Sequence, residues 1–263
     1  MRRSINFLVS SDPENGAIQI SADGSQFTVQ LENVFEIPPQ AREASLEVMN
    51  ATVWWNVPNI SAALGNNKFY FEYATNPYVV TIPDGLYSVV DLNSTLNREV
   101  GNATGVFDMF TLTGDGPTQK ILLFINYTTV QIDFTPIDTF RDLLGFNSQL
   151  IPDPNPTTGL FNVLGDNVAA FNSIEYFLLH SDLVRRGLQI NHVYDNVIAR
   201  VPINTTPGSQ IIYEPYNPDQ LDILDEAGQR WHHMRFWLTD NLRRSVDTRG
   251  ETWSVNIRIS YTV

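Results

Sequence analysis

Trp253-Ser-Val-Asn-Ile-Arg-Ile-Ser-Tyr-Thr-Val263 is the stretch that decides the fold class. Trp253, Val255, Ile257, Ile259, Tyr261 and Val263 alternate with Ser254, Asn256, Arg258, Ser260 and Thr262. A period of two held over a whole segment puts the apolar set on one face of a β-strand and the polar set on the other. That is the pattern of a strand with one side in a core and the other in water. Just upstream the same period returns. His232, Met234, Phe236 and Leu238 fall on one face and His233, Arg235 and Thr239 on the other, with Trp237 breaking the polar side.

Working towards the N-terminus, Phe27, Val29 and Leu31 alternate with Thr28, Gln30 and Glu32, and Phe69, Phe71 and Tyr73 with Tyr70 and Glu72. Leu46 to Trp55 carries large residues on both faces and reads as a strand covered on both sides. Further strands are expected at 5–9, 78–82, 106–112, 120–126, 130–134, 174–179, 197–201 and 210–213. Asp23-Gly24, Pro38-Pro39, Pro83-Asp84-Gly85, Gly114-Asp115-Gly116 and Pro207-Gly208 supply the turns between them. Two helices are predicted. One spans 88–100, with Ser88 as N-cap, Val89, Leu92, Leu96 and Val100 on one face, and Gly101 as its stop. The other spans 135–144, with Pro136 at its first position, Asp138 favouring its N-terminus and Gly145 ending it. The expected organisation is all-β: a single domain over 1–263 with an excursion near 83–160 and an exposed Pro-rich loop at 151–159.

Composition narrows the function classes. Hydrophobic residues make up 43% and charged residues 17% of the 263, enough for a packed core. The formal net charge is -13, and Lys68 and Lys120 are the only lysines. So acidic a body repels phosphate, which argues against direct nucleic-acid binding. With no cysteine there is no disulfide framework, thiolate metal site or thiol nucleophile. Sequons at Asn50, Asn59, Asn93, Asn102, Asn126 and Asn204 fall within the chance frequency of a chain rich in Asn, Ser and Thr. The apolar run after Arg2-Arg3 ends at Val9, too short for a signal peptide, so a soluble protein is expected.

Chemistry-bearing motifs are scarce. His232 and His233 are adjacent on a strand and face opposite ways, so they cannot share a metal ion, and His180 and His192 have no ligand spacing. No phosphate loop, dinucleotide turn or nucleophile elbow is present. The acids Asp222, Asp225 and Glu226, and the pairs Asp138/Asp142 and Asp182/Asp195, read as turn and helix carboxylates. A glycosidase would need two of them at a set spacing, and a serine hydrolase a Ser-His-Asp set, neither of which a sequence displays. No cofactor and no metal are expected. Trp54-Trp55 is more informative, because neighbouring strand positions send one ring to each face and one must find cover beyond its own sheet. Together with Arg2, Arg3, Arg243 and Arg244 these are the candidate interface residues, since aromatics and Arg concentrate at interface centres.

Several segments, in order, resemble the penton-type minor capsid proteins of polinton-like viruses and virophages. They are Gln26-Phe-Thr-Val-Gln-Leu-Glu32 with the long strand to Trp55, Asn66-Asn-Lys-Phe69, and Val80-Thr-Ile-Pro-Asp-Gly-Leu-Tyr87 leading into the helix with Leu92. Leu143-Leu-Gly-Phe146, Phe177-Leu-Leu-His-Ser-Asp-Leu183 and Phe236-Trp-Leu-Thr-Asp240 follow. The resemblance implies a jelly-roll β-sandwich with extra strands and two helical inserts. It also implies a non-catalytic role as a capsid vertex or minor shell subunit, a homopentamer contacting neighbouring capsid proteins and spike or internal-membrane-associated virion proteins. Localisation in the virion, after a soluble stage in the host cell, goes with it. On this reading Met1 to Ser11 and the loop near Pro152 are arms reaching a neighbour. Three other readings stand beside it. A major capsid protein would carry two jelly rolls, a spike module would bind a glycan or receptor through exposed aromatics beside carboxylates, and a hydrolase would need a deep pocket.

Overall fold

The computed structural model describes residues 1–171, 174–190 and 193–263, which leaves His192 outside the described residues. From the N-terminus come β1 (Arg2–Ser10), β2 (Ala17–Ile18), β3 (Gln26–Glu36) and β4 (Glu43–Trp54). Next are β5 (Lys68–Tyr73), β6 (Asn76–Thr81), α1 (Val89–Thr104), β7 (Phe110–Asp115), β8 (Lys120–Ile125) and β9 (Val130–Asp133). α2 (Arg141–Leu144), β10 (Leu150–Ile151), β11 (Phe161–Leu164), β12 (Tyr176–Ser181), β13 (Gln189–Ile190) and β14 (Val193–Tyr194) follow. β15 (Val197–Pro202), β16 (Gln210–Tyr213), β17 (Leu221–Asp222), β18 (Arg230–Thr239) and β19 (Ser254–Thr262) complete the chain. Two compact units form, one from Met1–Val57 and Ile174–Val263, the other from Pro58–Ser173. The departure from the strand framework is thus wider than 83–160, and it closes a core of its own.

In the first unit one sheet runs β1-β19-β4-β16 and another β15-β12-β18-β3, with β17 and β2 as short additions. Numbered by chain order, the eight long strands lie 1-8-3-6 in one sheet and 5-4-7-2 in the other, and their pairings are antiparallel. That wiring is a jelly roll. β19 and the residue before it bury the face read from the alternation, with Trp253, Val255, Ile257, Ile259 and Tyr261 in the core, while Val263, past the strand's end, is exposed. Phe27 of β3 packs at 4.7 Å edge-on to Trp253 and 5.6 Å from the Phe236 ring, so residues of β3, β18 and the start of β19 meet in one aromatic cluster.

Two bulges change the expected faces. On β4 the pairing with β19 steps from Asn256↔Asn50 to Ile257↔Val48, so Met49 is an extra residue. The inward set changes phase there, from Ala44, Leu46 and Val48 to Ala51, Val53 and, just past the strand, Trp55. This strand is therefore not covered evenly on both faces; it changes which parity points inward. On β18 the register shifts between Trp231 and His233. Trp231 takes the inward place beside Phe35, while His232, expected on the apolar face, is exposed.

The second unit has sheets ordered β10-β9-β5-β6 and β11-β8-β7. Phe69 is fully buried and meets the rings of Phe71, Phe110, Phe134 and Phe140 at 5.1–6.0 Å. α1 lays Leu92, Leu96 and Val100 into this core and begins with a reciprocal Ser88–Asp91 capping box. It does not stop at Gly101. It runs to Thr104 and ends at Gly105 in the left-handed conformation, while Gly101 is a packing glycine whose Cβ would lie 2.3 Å from the Phe107 ring. The second helix is shorter than the predicted 135–144 because its first carbonyls are taken. The Arg141 guanidinium donates to the carbonyls of Phe134, Thr135 and Pro136, and the Asp138 carbonyl accepts from the Lys68 N–H. Only Arg141–Leu144 is α-helical, and the Asp138 carboxylate accepts from Tyr70 Oη at 3.1 Å rather than sitting at a helix N-terminus.

Candidate functional site

The six candidate interface residues are dispersed over the first unit. Arg2 and Arg3 are exposed on β1, which has β19 on one side and no strand on the other among the described residues. Met1 to Ser11 is therefore no free arm but a paired strand. Trp55 is core, with Phe177 edge-on at 5.9 Å, while Trp54 is half-buried on the other face of β4, opposite Gln210. The tryptophan that needs cover is Trp54. Arg243 pairs with Asp195 at 3.5 Å, and Arg244 with Asp240 at 2.7 Å, so both are engaged inside the unit. The Asp240 carboxylate is nearly fully buried and also accepts from the N–H groups of Leu242 and Arg244, so this ion pair shapes the turn after β18.

The segment 151–159 is exposed at Asp153, Pro154, Asn155, Thr158 and Gly159 but pinned at both ends. Ile151 is buried, and Thr157 exchanges hydrogen bonds with Thr129, Val130 and Tyr127. Gln131 Nε2 donates to the Pro152 carbonyl at 2.6 Å.

Chemically perturbed groups lie apart from one another. Burial draws the Asp23 carboxyl upward, but hydroxyls of Ser21, Ser245 and Ser25 and the Ser25 N–H outweigh it and hold the group at about 2. A carboxylate ringed by serines has the parts of a hydrolase without the imidazole; here it ties the turn at 21–25 to Ser245. His180 is buried, its Nε2 2.9 Å from Thr239 Oγ1 and its ring stacked on Trp237 at 5.1 Å. Burial pushes its imidazole down to about 4, the Asp195 carboxylate opposing and Arg243 reinforcing the shift. Asp182 is raised by burial although the Arg235 N–H donates to it, and Glu226 is raised by burial against the guanidinium of Arg185 at 3.2 Å. No group of three His, Asp or Glu side chains among the described residues is placed to hold a metal ion.

The clefts are polar and open. One of about 380 Å³ is lined by Arg2, Arg42, Glu43, Gln220, Asp222 and Thr262 among others, so both signs of charge face it. Another of about 280 Å³ lies between Arg185, Arg186 and the acids Asp222, Asp225 and Glu226. Neither has the mostly apolar, enclosed lining of a small-molecule site. On the second unit Tyr70 faces outward with Glu72, Gln131 and Asp133 beside a shallow groove of about 190 Å³. Large apolar side chains stand in solvent on both units, including Leu8 at 74%, Ile137 at 89%, Leu160 at 84% and Tyr216 at 97% exposure.

One buried cluster escaped sequence reading. Glu47, on the outer face of β4, is nearly fully buried between Arg258 of β19, whose Nε donates at 2.6 Å, and Gln220, whose Nε2 donates at 2.6 Å. Only the Glu47↔Arg258 register reveals it. Alternation marks both as outward and polar.

No protein-family model matches the sequence, and no curated protein matches it. Among solved structures the chain is similar to the crystal structure of the mavirus penton protein, with a TM-score of 0.51 at 9% identity over 100% of both chains. It also aligns with a chain of the Sputnik virophage cryo-EM structure, with a TM-score of 0.45 at 12% identity over 97% of each. The first likeness covers the whole chain, inserted unit included; the jelly-roll wiring itself belongs to the first unit.

Proposed function

We propose that this chain is a structural capsid subunit, occupying the vertex as a penton and assembling with copies of itself and with neighbouring shell proteins in the virion. The observation that carries the reading is the 1-8-3-6 and 5-4-7-2 jelly roll interrupted by a second compact unit, a fold the chain has in common with the mavirus penton protein from end to end. The surface supports it: exposed apolar side chains are spread over both units, and symmetric shells need several modest contacts rather than one cleft. Direct contact with nucleic acid has no support from a body of charge -13. No catalytic step is proposed, since among the described residues no histidine hydrogen-bonds the serines around Asp23, and Asp182 lines neither of the two charged clefts while Glu226 lines one.

The reading as a major capsid protein with two rolls fails on topology. In the second unit β5 pairs β6 and β7 pairs β8 as sequential hairpins, in sheets of four and three strands, which is not jelly-roll wiring. The test is the mass of the purified protein in solution with negative-stain images. Five-fold rings are expected. A strict monomer at every concentration and salt, with no association with virions, overturns the proposal.

A further inference from the structure

β1 is a nine-residue strand at the end of its sheet, with Arg2 to Asn6 exposed throughout. Its hydrogen-bond phase is fixed by its ends. Val263 N donates to the Met1 carbonyl at 3.3 Å and Ser11 N to the Trp253 carbonyl at 2.9 Å. In an antiparallel ladder such pairs recur every second residue, so the odd positions of β1 bond β19. The even ones, Arg2, Ser4, Asn6, Leu8 and Ser10, turn their N–H and C=O groups to the open edge. An edge of this length is a template for another strand unless something blunts it.

The residue order along β1 says which strand fits. Arg2 and Arg3 stand at one end, and neither has an ion-pair partner among the described residues. Asp12 and the exposed Glu14 follow the other end. A second β1 laid antiparallel about Asn6 sets Arg2 opposite Ser10, Ser4 opposite Leu8, and Asn6 opposite itself. All are even positions, as the ladder requires. In the same register Arg3 lies across from Val9, and the arginines of each copy lie at the acidic end of the other. Like charges never face each other. Ile5, 37% exposed, falls beside the half-buried Phe7, which already packs on Phe35 at 5.4 Å. Leu8 gains a neighbour at Ser4. Charge at one end only would blunt the edge against most strands; with opposite charge at the other end, it selects this one.

We propose that the free edge of β1 is a two-fold docking site for β1 of a second copy of this chain, paired antiparallel about Asn6. This contact is separate from the five-fold association proposed above.

The absence of cysteine makes the test clean. Directly opposed residues in a hydrogen-bonded antiparallel pair have Cα atoms about 5.5 Å apart, within the roughly 4.4–6.8 Å that a disulfide spans. In the full chain, Asn6→Cys is expected to form a covalent dimer on mild oxidation, far faster than Tyr216→Cys, an exposed collisional control. Ser4→Cys and Leu8→Cys are each expected to cross-link poorly alone and well when mixed. Arg2→Glu is expected to weaken Asn6→Cys cross-linking by about threefold to tenfold at low salt, and adding Glu14→Arg to restore it. The proposal is overturned if Asn6→Cys reacts no faster than Tyr216→Cys, or if Ser4→Cys self-links as readily as the mixture. Rings without Asn6 cross-linking remove this contact and leave the vertex reading standing; cross-linking without rings does the reverse.

Discussion

Replacing Trp253 by alanine tests the core of the roll at its largest fully buried side chain. Trp253 is 2% exposed, its indole Nε1–H donates to the Gly24 carbonyl at 3.0 Å, and its ring meets Phe27 at 4.7 Å and 70°. Truncating a buried aromatic to alanine costs about 3–5 kcal/mol in transfer and cavity terms. The lost hydrogen bond adds about 1 kcal/mol. Trp253→Phe keeps a ring against Phe27 and gives up the N–H and part of the volume, so about 1–2 kcal/mol is expected. The assay follows from where the fluorophores are: all five tryptophans, at 54, 55, 231, 237 and 253, belong to the first unit. Urea unfolding followed by tryptophan emission therefore reports the roll alone, even where the two units unfold separately. With a urea slope of about 1–3 kcal/mol/M, Trp253→Ala lowers the midpoint by about 1 M or more, and Trp253→Phe by less than half as much. A Trp253→Ala cost below about 1 kcal/mol, or one equal to that of Trp253→Phe, would refute the assignment of this ring to the centre of the sandwich.

Gly145 has φ +79°, and a Cβ there would lie 2.3 Å from the Asn167 carbonyl oxygen, a backbone atom. Gly145→Ala should destabilise the second unit by more than the ~1–2 kcal/mol of left-handed strain alone, read as a lower thermal midpoint in tyrosine near-UV dichroism with tryptophan emission little changed. Arg258→Met leaves the Glu47 carboxylate buried with only Gln220 beside it, so a loss of about 3 kcal/mol is expected; the double variant with Glu47→Met should recover most of it in the same urea titration. Neutral His180 is favoured by the fold, with its pKa lowered from 6.5 to about 4. The unfolded chain then binds the extra proton first, so this stabilisation is complete above about pH 6.5 and is lost as pH falls towards about 4. His180→Phe should remove that part of the slope, on the order of 3 kcal/mol across the window, as measured by unfolding at stepped pH. An unchanged slope refutes the burial argument.

What was legible in the sequence, and what was not, divides along one physical line. β19 could be read residue by residue because its alternation is unbroken and one face is wholly in the core. β4 and β18 could not, because a break in register, one extra residue on β4 and a longer irregularity where β18 pairs β3, exchanges the two faces and leaves no mark in composition. Trp54-Trp55 shows the cost: the pair says one ring goes inward, and only the phase after Met49 says it is Trp55. The helices failed for a related reason. Gly101 resembles a stop and is a close contact with Phe107, while the expected first turn after Pro136 loses its carbonyls to Arg141. Candidate surface residues fared worst, since Arg243 and Arg244 are adjacent in sequence and yet each is claimed by a carboxylate that only folding supplies. Arg2 and Arg3 have no ion-pair partner among the described residues, and they lie on an edge strand with β19 on one side. Alternation marks them as polar and outward, and only the sheet order says that they stand on an edge.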